Sequence, residues 1–259
     1  MTTDQDAGAA GAASPSPPTS DPPVIAITGA GRGLGLLTTA ELLRRGSLVI
    51  ANHRSESEEL RLLTKEFPDR LVMLPGDIGE EATAVALAGA ARKLGRLDAV
   101  VHNAGIARDE ALVRMPAEDW DLVHRTNVRG AFLVTKHALR LMMRRRTGRM
   151  VYVSSVVAHT GNPGQAAYAA SKSALQGLSQ SVAQEYAPYN IRTVVVSPGL
   201  LDTGLATHIP DAHRSRLLSH SLGGETDARH TAALIAYLTT PESASINATV
   251  VRADGGIRY

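Results

Sequence analysis

Short apolar runs alternate with longer amphipathic stretches along the chain from Val24 onward. Val24–Thr28 predicts a strand, and the pattern from about Gly33 to Arg45 predicts a helix. Gly46 ends it, as a residue that tolerates left-handed backbone. Ser47–Asn52 reads as strand two, Glu56–Phe67 as a helix and Leu71–Leu74 as strand three. A helix over Glu80–Leu94 stops at Gly95, and Ala99–His102 is strand four. A long helix is expected over 117–146, its pattern interrupted near Gly130. Met150–Val153 and Arg192–Val196 are strands five and six, with a helix over Gln165–Tyr186 between them. Residues 203–222 have weak periodicity. Thr226–Thr239 and Ala248–Arg252 predict the last helix and strand. This alternation argues for βαβ units and a parallel sheet. The strands are nearly unbroken apolar runs, as expected when helices cover both faces. The expected fold class is α/β, a single doubly wound domain over 24–259 with a parallel sheet of about seven strands and no second domain or repeat. A lid segment is expected at about 203–225.

Residues 1–23 stand apart, dominated by Ala, Gly, Ser, Thr and Pro. Such a segment cannot bury enough apolar surface to offset its ordering entropy, so a disordered leader is expected. It lacks the basic start and apolar stretch of a signal peptide. No stretch approaches the ~18 apolar residues a membrane span needs, so the expected location is the cytoplasm. Aromatics make up only 3%, which leaves the core to Ala, Val, Leu and Ile. The absence of cysteine excludes disulfides, thiolate metal sites and a catalytic thiol. A formal charge of +2 is too small to argue for nucleic acid as a partner.

Strand one runs into Gly29–Ala30–Gly31–Arg32–Gly33–Leu34–Gly35 and then a helix. Glycines let the backbone turn tightly and approach a ligand closely. The helix start offers unpaired N–H groups to a pyrophosphate. A glycine-rich turn without a ligand is the bland alternative, but the strand–loop–helix setting is the one a nucleotide site requires. The spacing, Gly-x-x-x-Gly-x-Gly, resembles that of the short-chain dehydrogenase/reductase family, and the resemblance extends from Val24 to the C-terminus. It implies a Rossmann-type domain. In that resemblance Asp77–Ile78 contact the adenine ring, Asn103–Ala104–Gly105 close the far side of the cofactor cleft, and Pro198–Gly199 lie beside the nicotinamide. Thr203 falls where the family often bonds the carboxamide, with Leu201 close by. All follow expected strands, where open parallel sheets bind ligands.

The end of strand two reads Asn52–His53–Arg54, without the carboxylate that holds the ribose of NAD. Arg54 and Arg32 are either solvated loop residues or partners for a 2′-phosphate. The missing acid points to NADP(H).

Tyr168 and Lys172 are four residues apart on a helix and share a face. A nearby ammonium is expected to lower the pKa of the phenol, which could then protonate a carbonyl oxygen as hydride reaches its carbon. The resemblance gives Lys172 a second task, holding the nicotinamide ribose. Ser155 precedes Tyr168 by thirteen residues, the family's usual interval, which favours it over Ser154 as the residue that holds the substrate oxygen. Asn127 matches the family's asparagine that anchors a relay water. A Tyr-x-x-x-Lys pair alone occurs on many helices by chance; the ordered set of four behind the glycine loop does not. No metal site is expected: His208, His213, His220 and His230 lack helix-spaced pairing and a carboxylate cluster.

Within the family, Arg108–Met115 and Gly161–Tyr168 resemble 3-oxoacyl-(acyl-carrier-protein) reductases and polyketide ketoreductases. The resemblance implies reduction of a 3-oxoacyl thioester, an acyl carrier protein as partner and a homotetramer built on the two long helices. Arg144–Arg146 suit a helix C-terminus, and could also face an acidic carrier. Asn247–Ala248 and Ala253–Asp254 depart from the family's ending, which leaves room for a dehydrogenase of another small alcohol, sugar or ketone, or for a non-catalytic NADP-binding regulator.

Overall fold

The computed structural model describes residues 21–204, 214–215, 218–219 and 221–258. Residues 1–20 of the expected leader, and 205–213, 216–217 and 220 of the expected lid, with His208, His213 and His220, lie outside these.

Seven parallel strands form one sheet: β1 (Val24–Thr28), β2 (Leu48–His53), β3 (Leu71–Pro75), β4 (Ala99–His102), β5 (Gly148–Val153), β6 (Ile191–Pro198) and β7 (Thr249–Ala253). Their order is β3-β2-β1-β4-β5-β6-β7. The chain runs outward from β1 to β3, then returns to pair β4 with β1, Ile27 opposite Val101. That reversal opens a crevice at the carboxyl ends of β1 and β4, where such sheets bind ligands.

Side chains alternate across each strand, so β1 serves two cores. Ile25 and Ile27 face one cluster with Leu42 and Leu43 of α1 (Gly33–Arg44) and Ile235 of α8 (Ala228–Leu238). Val24 and Ala26 face the other. It includes Leu87 of α3 (Glu81–Lys93), Val134 of α5 (Gly130–Arg145) and Leu175 of α7 (Ala166–Tyr186). Every β1 residue is buried, which explains its unbroken apolar run. Ser57 caps α2 (Glu58–Glu66), its hydroxyl accepting from the Leu60 N–H at 3.1 Å.

The expected elements form, offset by one or two residues at their ends. The long helix is the exception. It divides into α4 (Ala117–His124) and α5 around a π turn at Arg125–Arg129. A short α6 (Val157–Thr160) also forms, which no periodicity announced. Gly130 follows the π turn because the loop after β3 packs there: a Cβ on it would sit 2.9 Å from Ile78 Cγ2.

Leu133, Val134, Ala138 and Met142 of α5 are buried in the subunit's own core, with Leu141 packed against it. These residues are therefore taken up within the subunit. The exposed apolar residues here are Phe132 and, on α4, Trp120. Among the described residues no helix is long and apolar enough to cross a membrane.

Candidate active site

The crevice widens into a cleft of about 670 Å³ running from the end of β2 to the start of α7. At its centre the glycine loop turns from β1 into α1. Gly29 and Gly33 have positive φ, +70° and +55°. A Cβ on Gly29 would lie 2.8 Å from Ala104 Cα, and one on Gly33 2.9 Å from Gly204 Cα. The loop is thus a cradle that side chains would fill, bare enough for a pyrophosphate over the start of α1. Gly35 lies behind it, outside the lining; a Cβ there would overlap the Gly29 carbonyl oxygen.

Asn103 sews this loop to β4. Its Nδ2 donates to the carbonyl oxygens of Thr28 and Gly29, both at 3.1 Å. The Thr28 hydroxyl accepts in return from the N–H groups of Asn103 and Ala104, at 3.1 and 3.0 Å. Ala104 and Gly105 carry the cleft wall onward, and Leu34 lines it from α1.

At the β2 end, Asn52 is buried and donates to the carbonyls of Leu74 and Gly76, at 3.2 and 3.1 Å. It is therefore committed to the sheet. Arg54 and Arg32 are exposed, line the cleft and have no acidic partner among the described residues. Asp77 and Ile78 also line it. The Asp77 carboxylate is already engaged, by the Gly79 N–H at 2.8 Å and by Arg125 at 2.7 Å.

At the far end lie Ser155, after β5, and Tyr168 and Lys172, on the first turns of α7. The Lys172 ammonium is buried and donates to the Val153 carbonyl at 2.8 Å, 5.7 Å from the centre of the Tyr168 ring. Burial holds it down to about 8. Burial also pushes the Tyr168 phenol up to about 12, opposed by the Ser155 hydroxyl and reinforced by the Asp109 carboxylate. This corrects the expectation of a phenol lowered by lysine: desolvation is the largest cause of the shift, and the ammonium, which donates to Val153, is not among its causes. The phenol stays protonated at neutral pH, the form able to donate a proton. The Ser154 hydroxyl is buried and donates to the Lys172 carbonyl at 2.9 Å, which leaves Ser155 as the half-buried serine.

Asn127 sits one layer behind. Its Oδ1 accepts from the Ile106 N–H at 2.8 Å, and its Nδ2 donates to the Ile106 carbonyl and the Ser171 hydroxyl, both at 2.9 Å. The π turn supplies this reach, and such turns recur at functional sites. Ser171, which also donates to the Tyr168 carbonyl at 2.7 Å, escaped sequence reasoning, because a serine on a helix carries no signal of its own. Pro198 accepts from the Val156 N–H at 2.8 Å, and Gly199 packs on Asp254. Leu201 and Thr203 complete the wall.

A bare glycine loop, two exposed arginines toward one end of the cleft and a Ser–Tyr–Lys group at the other mark a nucleotide-dependent oxidoreductase site. A family model described as enoyl-(acyl carrier protein) reductase matches residues 29–258. The chain belongs to the short-chain dehydrogenase/reductase family. It is 38% identical to the 3-oxoacyl-(acyl-carrier-protein) reductase of Thermotoga maritima, over 90% of this chain and 97% of that protein. It is 33% identical to nodulation protein G of a Rhizobium species, over 89% and 95%. A solved gluconate 5-dehydrogenase of Burkholderia cenocepacia, in complex with NADP and tartrate, superposes with a TM-score of 0.84 at 27% identity. That match covers 91% of this chain and 95% of the other.

Proposed function

We propose that this protein is an NADPH-dependent ketoreductase that converts a 3-oxoacyl thioester, carried on an acyl carrier protein, to the 3-hydroxyacyl form. The observation that carries this reading is the convergence of Ser155, a protonated Tyr168 and buried Lys172 at one end of the cleft. Two neighbouring O–H groups suit one carbonyl oxygen, and so favour C=O over C=C as the bond reduced. The 3-oxoacyl reductases among the relatives support the substrate class.

Bound NADPH supplies the hydride. The glycine loop and the N-terminus of α1 hold its pyrophosphate, Arg32 and Arg54 its 2′-phosphate, and Lys172 its nicotinamide-side ribose. Pro198, Gly199 and Thr203 wall the nicotinamide end. Ser155 orients the substrate oxygen, Tyr168 protonates it, and Asn127 anchors the inner end of the proton path through Ile106 and Ser171. The subunits form a homotetramer in this reading, with Phe132 and Trp120 in the contact, and the chain works in the cytoplasm.

The test follows NADPH oxidation with β-oxoesters and then with carrier-protein 3-oxoacyl thioesters. Turnover that prefers the carrier-bound thioesters is expected. A clear preference for oxo-sugar acids or simple ketones, or for the matching alcohols when NADP+ reduction is followed instead, would move the assignment to the polyol and sugar-acid dehydrogenases. Saturable nucleotide binding without turnover of any carbonyl would leave a regulator.

A further inference from the structure

The substrate end of the cleft is crossed by a clasp. The chain leaves β4 through Gly105 and runs outward to Asp109, whose Oδ2 accepts from Gln165 Nε2 at 3.0 Å. One residue on, the Glu110 N–H donates to the Gly164 carbonyl at 2.9 Å. Gln165 is braced from behind, its Oε1 accepting from Asn162 Nδ2 at 3.0 Å. It directly precedes α7, one turn before Tyr168, and Asp109, Gln165 and Tyr168 line the same cleft.

The charges around the clasp are unevenly matched. Arg108 pairs with Asp119 at 3.5 Å, and Glu110 with Arg114 at 2.8 Å. Lys172 is buried and turned to the Val153 carbonyl. Asp109 has no basic partner among the described residues, although its amide partner fixes it at the mouth. Its field reaches the reacting group, since it pushes the Tyr168 phenol upward.

We infer that the Asp109–Gln165 clasp is a charge filter, which admits neutral oxoesters and oxothioesters to Tyr168 and turns away oxoacids whose free carboxylate lies beside the ketone. The inference rests on the ketoreductase reading and deepens it. A 3-oxoacyl thioester is a neutral derivative of the 3-oxoacid, so a fixed negative charge at the mouth separates the carrier-bound acyl group from its hydrolysed acid. Like charges at close range disfavour the wrong partner, and at the exposed Asp109 that penalty is sensitive to salt.

The experiment compares kcat/KM for ethyl acetoacetate and acetoacetate, which carry the same ketone with and without a neighbouring charge. Asp109→Asn keeps an acceptor for Gln165 and removes only the charge. It should raise kcat/KM for acetoacetate about tenfold and move that for the ester far less. Added salt should narrow the wild-type preference for the ester. Gln165→Leu opens the clasp without changing charge, and should shift both substrates together. An ester-to-acid ratio that Asp109→Asn leaves unchanged overturns the filter. If the wild type reduces neither compound and no carrier-bound 3-oxoacyl thioester, the ketoreductase reading falls. The filter is then read from binding of the two compounds to the NADPH complex, by quenching of NADPH fluorescence. Equal affinity for acetoacetate in wild type and Asp109→Asn overturns it there too.

Discussion

At the scale of single residues, Tyr168 and Lys172 have opposite relations to their own burial. The phenol is held protonated by it, at about 12, and so is ready as an acid. Tyr168→Phe should lower turnover about 10²–10⁴-fold while NADPH affinity stays within a few-fold, because only the proton is lost. Steady-state rates alongside a fluorescence titration of NADPH check both halves. The ammonium of Lys172 is destabilised, at about 8 against an ordinary 10.5. The unfolded chain therefore binds protons more readily between these values, and the cost of the buried charge is full below pH 8 and fades as pH rises through the window. Lys172→Met should lose turnover yet gain about 1–2 kcal/mol of stability at pH 7. The lost bond to Val153 limits the gain, and it should shrink toward pH 10. Denaturant melts at the two pH values measure this. The identities of both residues were legible from their four-residue spacing. Their electrostatics were not, because desolvation depends on a β5 carbonyl and on loops distant in sequence. Asp77 illustrates the same limit: its position was readable, its partner Arg125 was not.

At the scale of elements, apolar runs located every strand, most plainly the inner ones such as β1, where both faces are covered and the run needs no alternation. It located the break near Gly130 but not its form. A π turn depends on what packs against it, here Ile78 and the loop that follows, where Arg129 donates to the Gly79 carbonyl and Arg125 pairs with Glu80. The short α6 was equally invisible, since four residues hold no period. Asn127 is the tie that makes the π turn matter. Asn127→Ala removes three hydrogen bonds and leaves the Ile106 N–H and carbonyl without their partner. It should cost about 1–3 kcal/mol of stability. Turnover should fall more steeply than NADPH affinity, since the tie lies behind Tyr168 rather than under the phosphate loop. Urea unfolding paired with single-turnover rates separates the two effects.

At the scale of the whole molecule, the apolar pattern of the long helix does not locate a contact between subunits. The broad apolar band of α5 looks like a face for a partner, yet the subunit's own core absorbs it. What α4 and α5 leave for a partner is smaller: Phe132, 47% exposed, and Trp120. Light scattering of the active enzyme should give a tetramer mass. Phe132→Glu should reduce both mass and activity, by placing a charge in an apolar contact. An active monomer would refute the assembly.

The pairing of β1 with β4 has a kinetic consequence. Thr28 and Asn103, which hold the phosphate loop open, meet across 75 residues of chain. No hairpin or local βα unit contains both walls of the crevice, and closing so long a loop must precede any reward from the contacts it makes. The cleft should therefore appear late in refolding. In a stopped-flow experiment, the rise of NADPH fluorescence should lag the recovery of helical circular dichroism. Until β4 docks, the open edge of β1 is a strand without its neighbour, so recovery of active protein should fall as chain concentration rises.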